Sequence, residues 1–216
     1  MTDLVRTVPM FPLGATVLPG SELPLNVFEP RYQALVNDVL AAPDGPDFGV
    51  VLITRGHEVG GGDERSDVGV LVRIRNHRQM SGGRFALDCV AGQRIKVVCW
   101  LPDDPYPRAE IAVWPDEENG SEWVALQQVD AAVIRLRETL TRLAQRRERG
   151  VPRIPTTADL SGSPGERLYS LAARCPLGDS DRQTVLAAPG VADRARVLAE
   201  ALTGATEIVE FELLQS

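Results

Sequence analysis

Val68-Gly69-Val70-Leu71-Val72-Arg73-Ile74-Arg75 sets Val68, Val70, Val72 and Ile74 in alternation with Gly69, Leu71, Arg73 and Arg75. Side chains on a β-strand repeat every two residues, so this stretch predicts a strand with a Val70/Val72/Ile74 core face. The same texture spreads outward. Phe85, Leu87 and Cys89 alternate with Arg84, Ala86 and Asp88, and further strands are expected at Val5–Met10, Leu23–Phe28, Phe48–Thr54, Arg94–Leu101 and Ala109–Trp114. Ser81-Gly82-Gly83 and Ala91-Gly92-Gln93 read as hairpin turns, because glycine accepts the positive φ such turns need. Gly56 to Asp67, with Gly60-Gly61-Gly62 inside, reads as a longer hairpin tip. Six or seven short strands at this spacing predict a small barrel.

One helix interrupts the strands. Pro30 suits a first helical position, Tyr32, Leu35, Val36, Val39 and Leu40 form an apolar face, and Pro43 ends the run. Past Pro115-Asp116-Glu117-Glu118-Asn119-Gly120 the period changes to helical. Ser121 reads as a cap with Glu122 in the first turn. Leu126, Val129, Val133, Leu136, Leu140 and Leu143 then form a heptad seam, followed by Arg142, Arg146, Arg147 and Arg149 at its end. A seam this short is expected to pack within its own lobe rather than join two copies, which leaves a monomer or a weak homodimer. Gly150 to Gly165 reads as a connector, with helices expected at Glu166–Arg174, Asp181–Ala187 and Val191–Leu202. The predicted fold class is α+β: a β-rich pseudo-barrel over residues 1–115, then a helical lobe over 116–216, packed on it or hinged to it.

Charge excludes several functions. The chain of 216 residues carries 30 acidic and 23 basic side chains, a net −7, with both halves negative. A phosphate backbone calls for a positive field, so nucleic-acid binding is disfavoured. Cys89, Cys99 and Cys175 are an odd, widely spaced set that fits a reducing cytoplasm better than a disulfide framework. The N-terminus lacks a signal-peptide layout, and the longest uncharged stretch near it, Thr7 to Ser21, contains three prolines and two glycines and so cannot be a spanning helix; a soluble cytoplasmic chain is expected. Lys96 is the only lysine, and no G-x-x-x-x-G-K-[ST] occurs, which excludes a P-loop ATPase.

Few residues offer chemistry. His57 and His77 with three cysteines show no zinc-ligand spacing, and no metal or cofactor is expected. Cys89 shares an apolar face with Phe85 and Leu87, so an inert thiol is expected there rather than a nucleophile paired with His77. Gly60-Gly61-Gly62 precedes no helix and reads as a turn rather than a phosphate cradle. Arg73, Arg75 and His77 share one strand face; if the next strands pair as hairpins, Arg84, Asp88, Arg94 and Lys96 join it. Arg73, Arg75, Arg94 and Lys96 are therefore candidate contacts for an anion, an acidic peptide or RNA, against the plainer reading of a solvated, ion-paired face.

Pro9-Met10-Phe11-Pro12-Leu13-Gly14, Val17-Leu18-Pro19-Gly20 and Leu23-Pro24-Leu25-Asn26-Val27-Phe28-Glu29-Pro30-Arg31-Tyr32 resemble the N-terminal domain of the Lon protease family. Phe48-Gly49-Val50-Val51, Asp67-Val68-Gly69, Gly83-Arg84-Phe85 and Gly92-Gln93-Arg94 agree in order, as do Asp181-Arg182-Gln183 and Arg194-Ala195-Arg196-Val197-Leu198. The resemblance is dense over 7–36, looser to 115 and patterned from 121 to 202. It implies a PUA-like pseudo-barrel with a helical bundle, and a stand-alone substrate-binding domain lacking the family's ATPase module and Ser–Lys peptidase. The implied partner is an unfolded or specific polypeptide, with a protease or chaperone as a further candidate. An RNA or anion binder is the second reading and a hydrolase a distant third. Within the motif, Phe11, Pro12, Leu13, Pro19, Gly20, Phe28, Pro30 and Tyr32 read as structural. Glu29 and Arg31 read as a clamp between strand and helix in preference to a charged pair offered to a peptide.

Overall fold

The computed structural model describes residues 5–43, 45–56, 64–117, 122–148, 150 and 153–215. His57, Gly60-Gly61-Gly62, the Ser121 cap, the Glu122 side chain and Arg149 lie outside what is described. The chain divides into two compact units, residues 1–115 and 116–216.

The first unit holds β1 (Arg6–Leu13), β2 (Glu22–Val27), α1 (Pro30–Ala41), β3 (Asp47–Arg55), β4 (Glu64–Gln79), β5 (Phe85–Leu101) and β6 (Arg108–Val113). The sheet order is β2-β5-β4-β3-β1-β6, and β6 also pairs with β5. Five strands therefore close on themselves, and β2 lies outside the ring on β5. The closure depends on the length of β5: Phe85–Val90 pairs with β2, while Ile95–Leu101 pairs with β6.

Two apolar layers use opposite faces of β3 and β4. The barrel interior collects Val8, Met10, Val51, Leu71, Ile95, Ala109 and Ile111. On the other face, Phe48, Val50, Val70 and Val72 are buried with Phe11, whose ring stacks on Tyr32 of α1 at 4.1 Å. Burial on both faces is why Phe48–Val51 and Val70–Val72 are continuous apolar runs. Leu71 is thus core as well, and one-sided alternation begins only at Arg73. Gly69 sits where strands approach closely, since a Cβ there would fall on the Val50 carbonyl oxygen.

One predicted turn is absent. Ser81–Gly83 does turn the chain, with Gly82 and Gly83 at φ 75° and 73°. Ala91-Gly92-Gln93, by contrast, lies inside β5, where Val72 pairs with Ala91 and Val70 with Arg94. Two residues on β4 thus span three on β5, a bulge that bends the strand instead of reversing it.

The second unit holds α2 (Glu122–Arg146), α3 (Pro164–Arg174), α4 (Asp179–Ala187) and α5 (Val191–Gln215). The α2 seam is buried at Val129, Val133, Leu136 and Leu143, and α2 packs along α5. The two helices run parallel. Asp116, ahead of α2, pairs with Arg194 near the start of α5, and Arg146 at the end of α2 donates to the Leu213 carbonyl at 2.6 Å. Helix α3 starts two residues before the expected Glu166 because Ser163 and Glu166 form a capping box around Pro164. Helix α4 likewise starts early, at Asp179. Helix α5 continues thirteen residues beyond the expected Leu202, because nothing between Gly204 and Gln215 breaks it.

Candidate functional site

Residues Leu23, Leu25 and Val27 of β2 face Cys89, Leu87 and Phe85 of β5. Gly20 N–H donates to the Ala91 carbonyl, and Ala91 N–H donates to the Ser21 carbonyl, both at 2.9 Å. The Ser21 carbonyl thus points at β5, and the period of two directs the backbone groups of Leu23, Leu25 and Val27 the same way. Those of Glu22, Pro24 and Asn26 face outward, where no other described strand pairs with them. Pro24 fits this geometry, since an edge strand tolerates proline where the missing N–H would have faced solvent. It also blocks open-ended pairing, leaving a short track at Asn26.

Phe28 stands at the end of this edge with 60% of its surface exposed. Side-chain contacts hold the backbone on either side of it. Gln33 Nε2 of α1 donates to the Phe28 carbonyl at 2.9 Å and to the Gly82 carbonyl at 3.4 Å. Gly83 leaves room for that amide, since a Cβ there would come within 2.8 Å of Gln33 Oε1. Arg31 Nε donates to Glu29 Oε2 at 3.1 Å, and the guanidinium lies 4.5 Å over the Tyr32 ring. Pro30 is the first residue of α1, Phe11, Pro12 and Tyr32 are buried, and Leu13 and Pro19 are half-buried. Gly20 takes φ 81°. Phe28 departs from the packing role expected of it. The sequence held the signal: Leu23, Leu25 and Val27 point inward, so Phe28 is out of phase with them.

The basic stripe is not one surface. The bulge opposite Val70 and Val72 puts Arg94 and Lys96 on the side of Val70 and Val68, away from Arg73. Arg73 holds Asp47 through two hydrogen bonds, at 2.6 and 2.7 Å, and Arg75 is exposed. Arg94 is buried; its Nε donates to the Trp114 carbonyl at 3.0 Å and its Nη2 to the Pro115 carbonyl at 3.1 Å. The Arg94 guanidinium stacks 4.0 Å over the Trp114 ring, and Lys96 Nζ lies 3.5 Å from the same ring centre. These contacts occupy Arg94 with fastening the end of β6.

Two of the three thiols, Cys89 and Cys175, are buried, and Cys99 is exposed. Cys89 lies opposite Ile74, while His77 lies opposite Leu87. Burial, with the Asp88 charge adding to it, pushes the Cys89 thiol up to about 12. Burial does the same for Cys175, again to about 12, against an opposing effect of Arg182. Protonated thiols are poor nucleophiles and poor metal ligands. Among the described residues no group of three His, Cys, Asp or Glu could hold a metal ion, and no helix is long and apolar enough to cross a membrane.

A family model described as the ATP-dependent protease La (LON) substrate-binding domain matches residues 7–204. Lon protease 1 of Herpetosiphon aurantiacus is 25% identical over 221 residues, which cover 96% of this chain and 25% of that protein. The chain therefore spans about a quarter of the length of that relative. The crystal structure of a Lon N-terminal domain protein from Xanthomonas campestris is similar with a TM-score of 0.62 at 24% identity, covering 90% of this chain and 98% of that one. The N-terminal domain of the Mycobacterium avium complex Lon protease is similar with a TM-score of 0.60 at 19% identity, covering 92% and 98%. At these identities the two structures speak for the fold.

Proposed function

The chain belongs to the family of Lon substrate-binding domains, and from that membership we propose that it is a non-catalytic module that binds extended polypeptide at the outer edge of β2, with Phe28 as the apolar anchor. The observation that carries the reading is the exposed Phe28 at the end of a strand whose outward backbone groups have no partner strand among the described residues. An added strand gains hydrogen bonds from main-chain groups, which every polypeptide offers, and an apolar anchor favours chains that expose core residues. Such recognition is broad in sequence and selective for unfolded segments. The Glu29–Arg31 pair and Gln33 serve as the platform that positions Phe28. The buried, protonated Cys89 and Cys175 thiols and the absence of a P-loop support a role without chemistry of its own, in the cytoplasm, supplying bound chains to a protease or chaperone.

Titration calorimetry with a reduced, carboxymethylated and permanently unfolded protein tests this reading. Phe28→Ser is expected to weaken binding about tenfold, a loss of about 1.4 kcal/mol, with the melting temperature unchanged because the ring packs on little. Asn26→Pro removes an outward N–H and should weaken binding without breaking the β2–β5 ladder. Undiminished affinity in both variants would remove the β2 edge as the contact surface.

A further inference from the structure

Arg137 of α2, Arg153 of the connector and Arg174 at the end of α3 line one groove of about 780 Å³ in the second unit. Elsewhere in this unit arginines meet carboxylates: Arg194 holds Asp116, Arg196 pairs with Glu200 at 3.0 Å, and Arg147 with Glu212 at 3.1 Å. None of the three groove arginines forms an ion pair or a side-chain hydrogen bond among the described residues. The connector is fastened beside them. Thr157 donates its N–H and hydroxyl to Asp130, which lies two turns before Arg137 on the same face of α2.

The local balance is positive. The one carboxylate lining the groove is Asp159, and Thr156 occupies it, its N–H and hydroxyl donating to Oδ2 at 2.9 and 2.8 Å. Those two hydrogen bonds, with the Arg137 charge adding to them, hold Asp159 below the usual carboxylate range, so it is ionised at neutral pH. Three guanidiniums against one carboxylate leave a local charge of +2. The other described acids of these elements do not line the groove: Asp130 is taken by Thr157, Glu166 by the Ser163 cap, and Glu148 is exposed apart from it. Glu138 and Arg142 line the neighbouring groove, which shares Arg137, and as one acid with one base they leave the balance unchanged. Arg167 donates to the Gly162 carbonyl.

The surplus selects an anion, and the size of the groove selects its kind. About 780 Å³ is room for a few residues rather than for one ion, and Ile154 and Pro155 make an apolar wall beside the arginines. A nucleic acid would bring a phosphate with every nucleotide against a chain of net charge −7, and no aromatic residue lines the groove to stack a base. We propose that this groove binds an acidic segment of a polypeptide, its carboxylates on Arg137, Arg153 and Arg174 and an apolar side chain against Pro155. Guanidinium forks and carboxylates match in geometry as well as in charge. This surface is additional to the β2 edge and does not depend on it.

A fluorescein-labelled peptide alternating Glu with Ala is the probe, read by fluorescence anisotropy against the full chain, and the same peptide with Gln for Glu is its control. The salt is set near physiological strength, where exposed charges more than about 8 Å apart are largely screened. The Glu peptide is expected to bind at least about tenfold more tightly than the Gln peptide. Arg153→Glu should weaken its binding about tenfold, and Arg174→Ser should weaken it as well. Arg135→Glu is the deciding comparison: it changes the net charge as much as Arg153→Glu does, but Arg135 lines a different groove, and binding should stay as in the parent chain. Melting temperatures check that each variant is folded. Mg-ATP and oligouridylate should not displace the peptide, and Phe28→Ser should bind it as the parent does. Equal binding of the two peptides, or equal losses in Arg135→Glu and Arg153→Glu, overturns the proposal, since general surface charge would then account for binding. Displacement by Mg-ATP or oligouridylate overturns it in favour of a phosphate site, and a loss in Phe28→Ser would move the peptide to the β2 edge.

Discussion

Arg194 shows how one residue can fix a local structure. Its side chain is fully buried near the start of α5, with the guanidinium 3.9 Å over the Tyr169 ring and both terminal nitrogens donating to Asp116, one at 2.9 Å. Gly165 at the start of α3 completes the site, since a Cβ there would come within 2.6 Å of Asp116 Oδ2 and 2.9 Å of Arg194 Nη1. A buried guanidinium needs its counter-charge: removing one partner leaves an uncompensated charge, whereas replacing both with apolar groups can be nearly neutral. Asp116→Ala is expected to cost about 3 kcal/mol in urea unfolding, the low end of the buried-pair range because Asp116 is partly exposed. Arg194→Met combined with Asp116→Leu should cost less than Asp116→Ala alone. The reverse order would mean that packing, not charge pairing, holds this corner.

Among the elements, α3 depends most visibly on a few polar contacts at its start. Ser163 N–H donates to Glu166 Oε2 at 2.7 Å, the Ser163 hydroxyl donates to the same oxygen at 2.8 Å, and Glu166 N–H donates back to Ser163 Oγ at 3.4 Å. The Ser163 N–H and then its hydroxyl hold the Glu166 carboxyl below the usual glutamate range. A carboxyl whose value is lowered on folding stabilises the fold above its unfolded value, and that contribution drains away as pH falls through the lowered one. Ser163→Ala is expected to cost about 1 kcal/mol at neutral pH. The deficit against the parent chain should shrink on acidification, and a pH series of unfolding midpoints checks it. A constant deficit would put the effect in helix propensity rather than the cap. Thr157 gives a related fastening, donating its N–H and hydroxyl to Asp130 of α2 at 2.8 and 2.7 Å.

For the molecule as a whole, the feature that matters most is a barrel with one strand added outside the closed ring. Each of the five ring strands has a neighbour on both sides, whereas β2 has β5 alone among the described strands. The buried Cys89 and Cys175 thiols stay protonated, and the lone lysine rests against Trp114. The purified chain is expected to show no casein cleavage with or without ATP. Millimolar ATP should leave its melting temperature unchanged, since a ligand that does not bind the folded state cannot shift it. A dose-dependent rise in melting temperature would reveal a nucleotide site and overturn the reading of a passive binder.

The amino-acid sequence alone determined the element types and most of their limits, because periodicity and capping are local. Alternation marked the strands, Pro30 opened α1, and the S-x-x-E spacing at Ser163 and Glu166 was there to be read as the start of α3. The family resemblance was equally legible, in its proline-punctuated opening motif. Gly92 was not. A glycine in a strand pattern serves a turn or a bulge equally well, and only the pairing of β5 with β4, β2 and β6 decides between them. That choice shifted every side chain after it, and so split Arg94 and Lys96 from Arg73 and Arg75. Tertiary structure also decided which apolar residues stay outside. Phe28, Ile208 and Phe211 match core residues in hydrophobicity, and their exposure follows from which faces of β2 and α5 find partners. Local pattern fixes a residue's phase along its own element, whereas exposure depends on what packs opposite, through contacts between residues far apart in the chain.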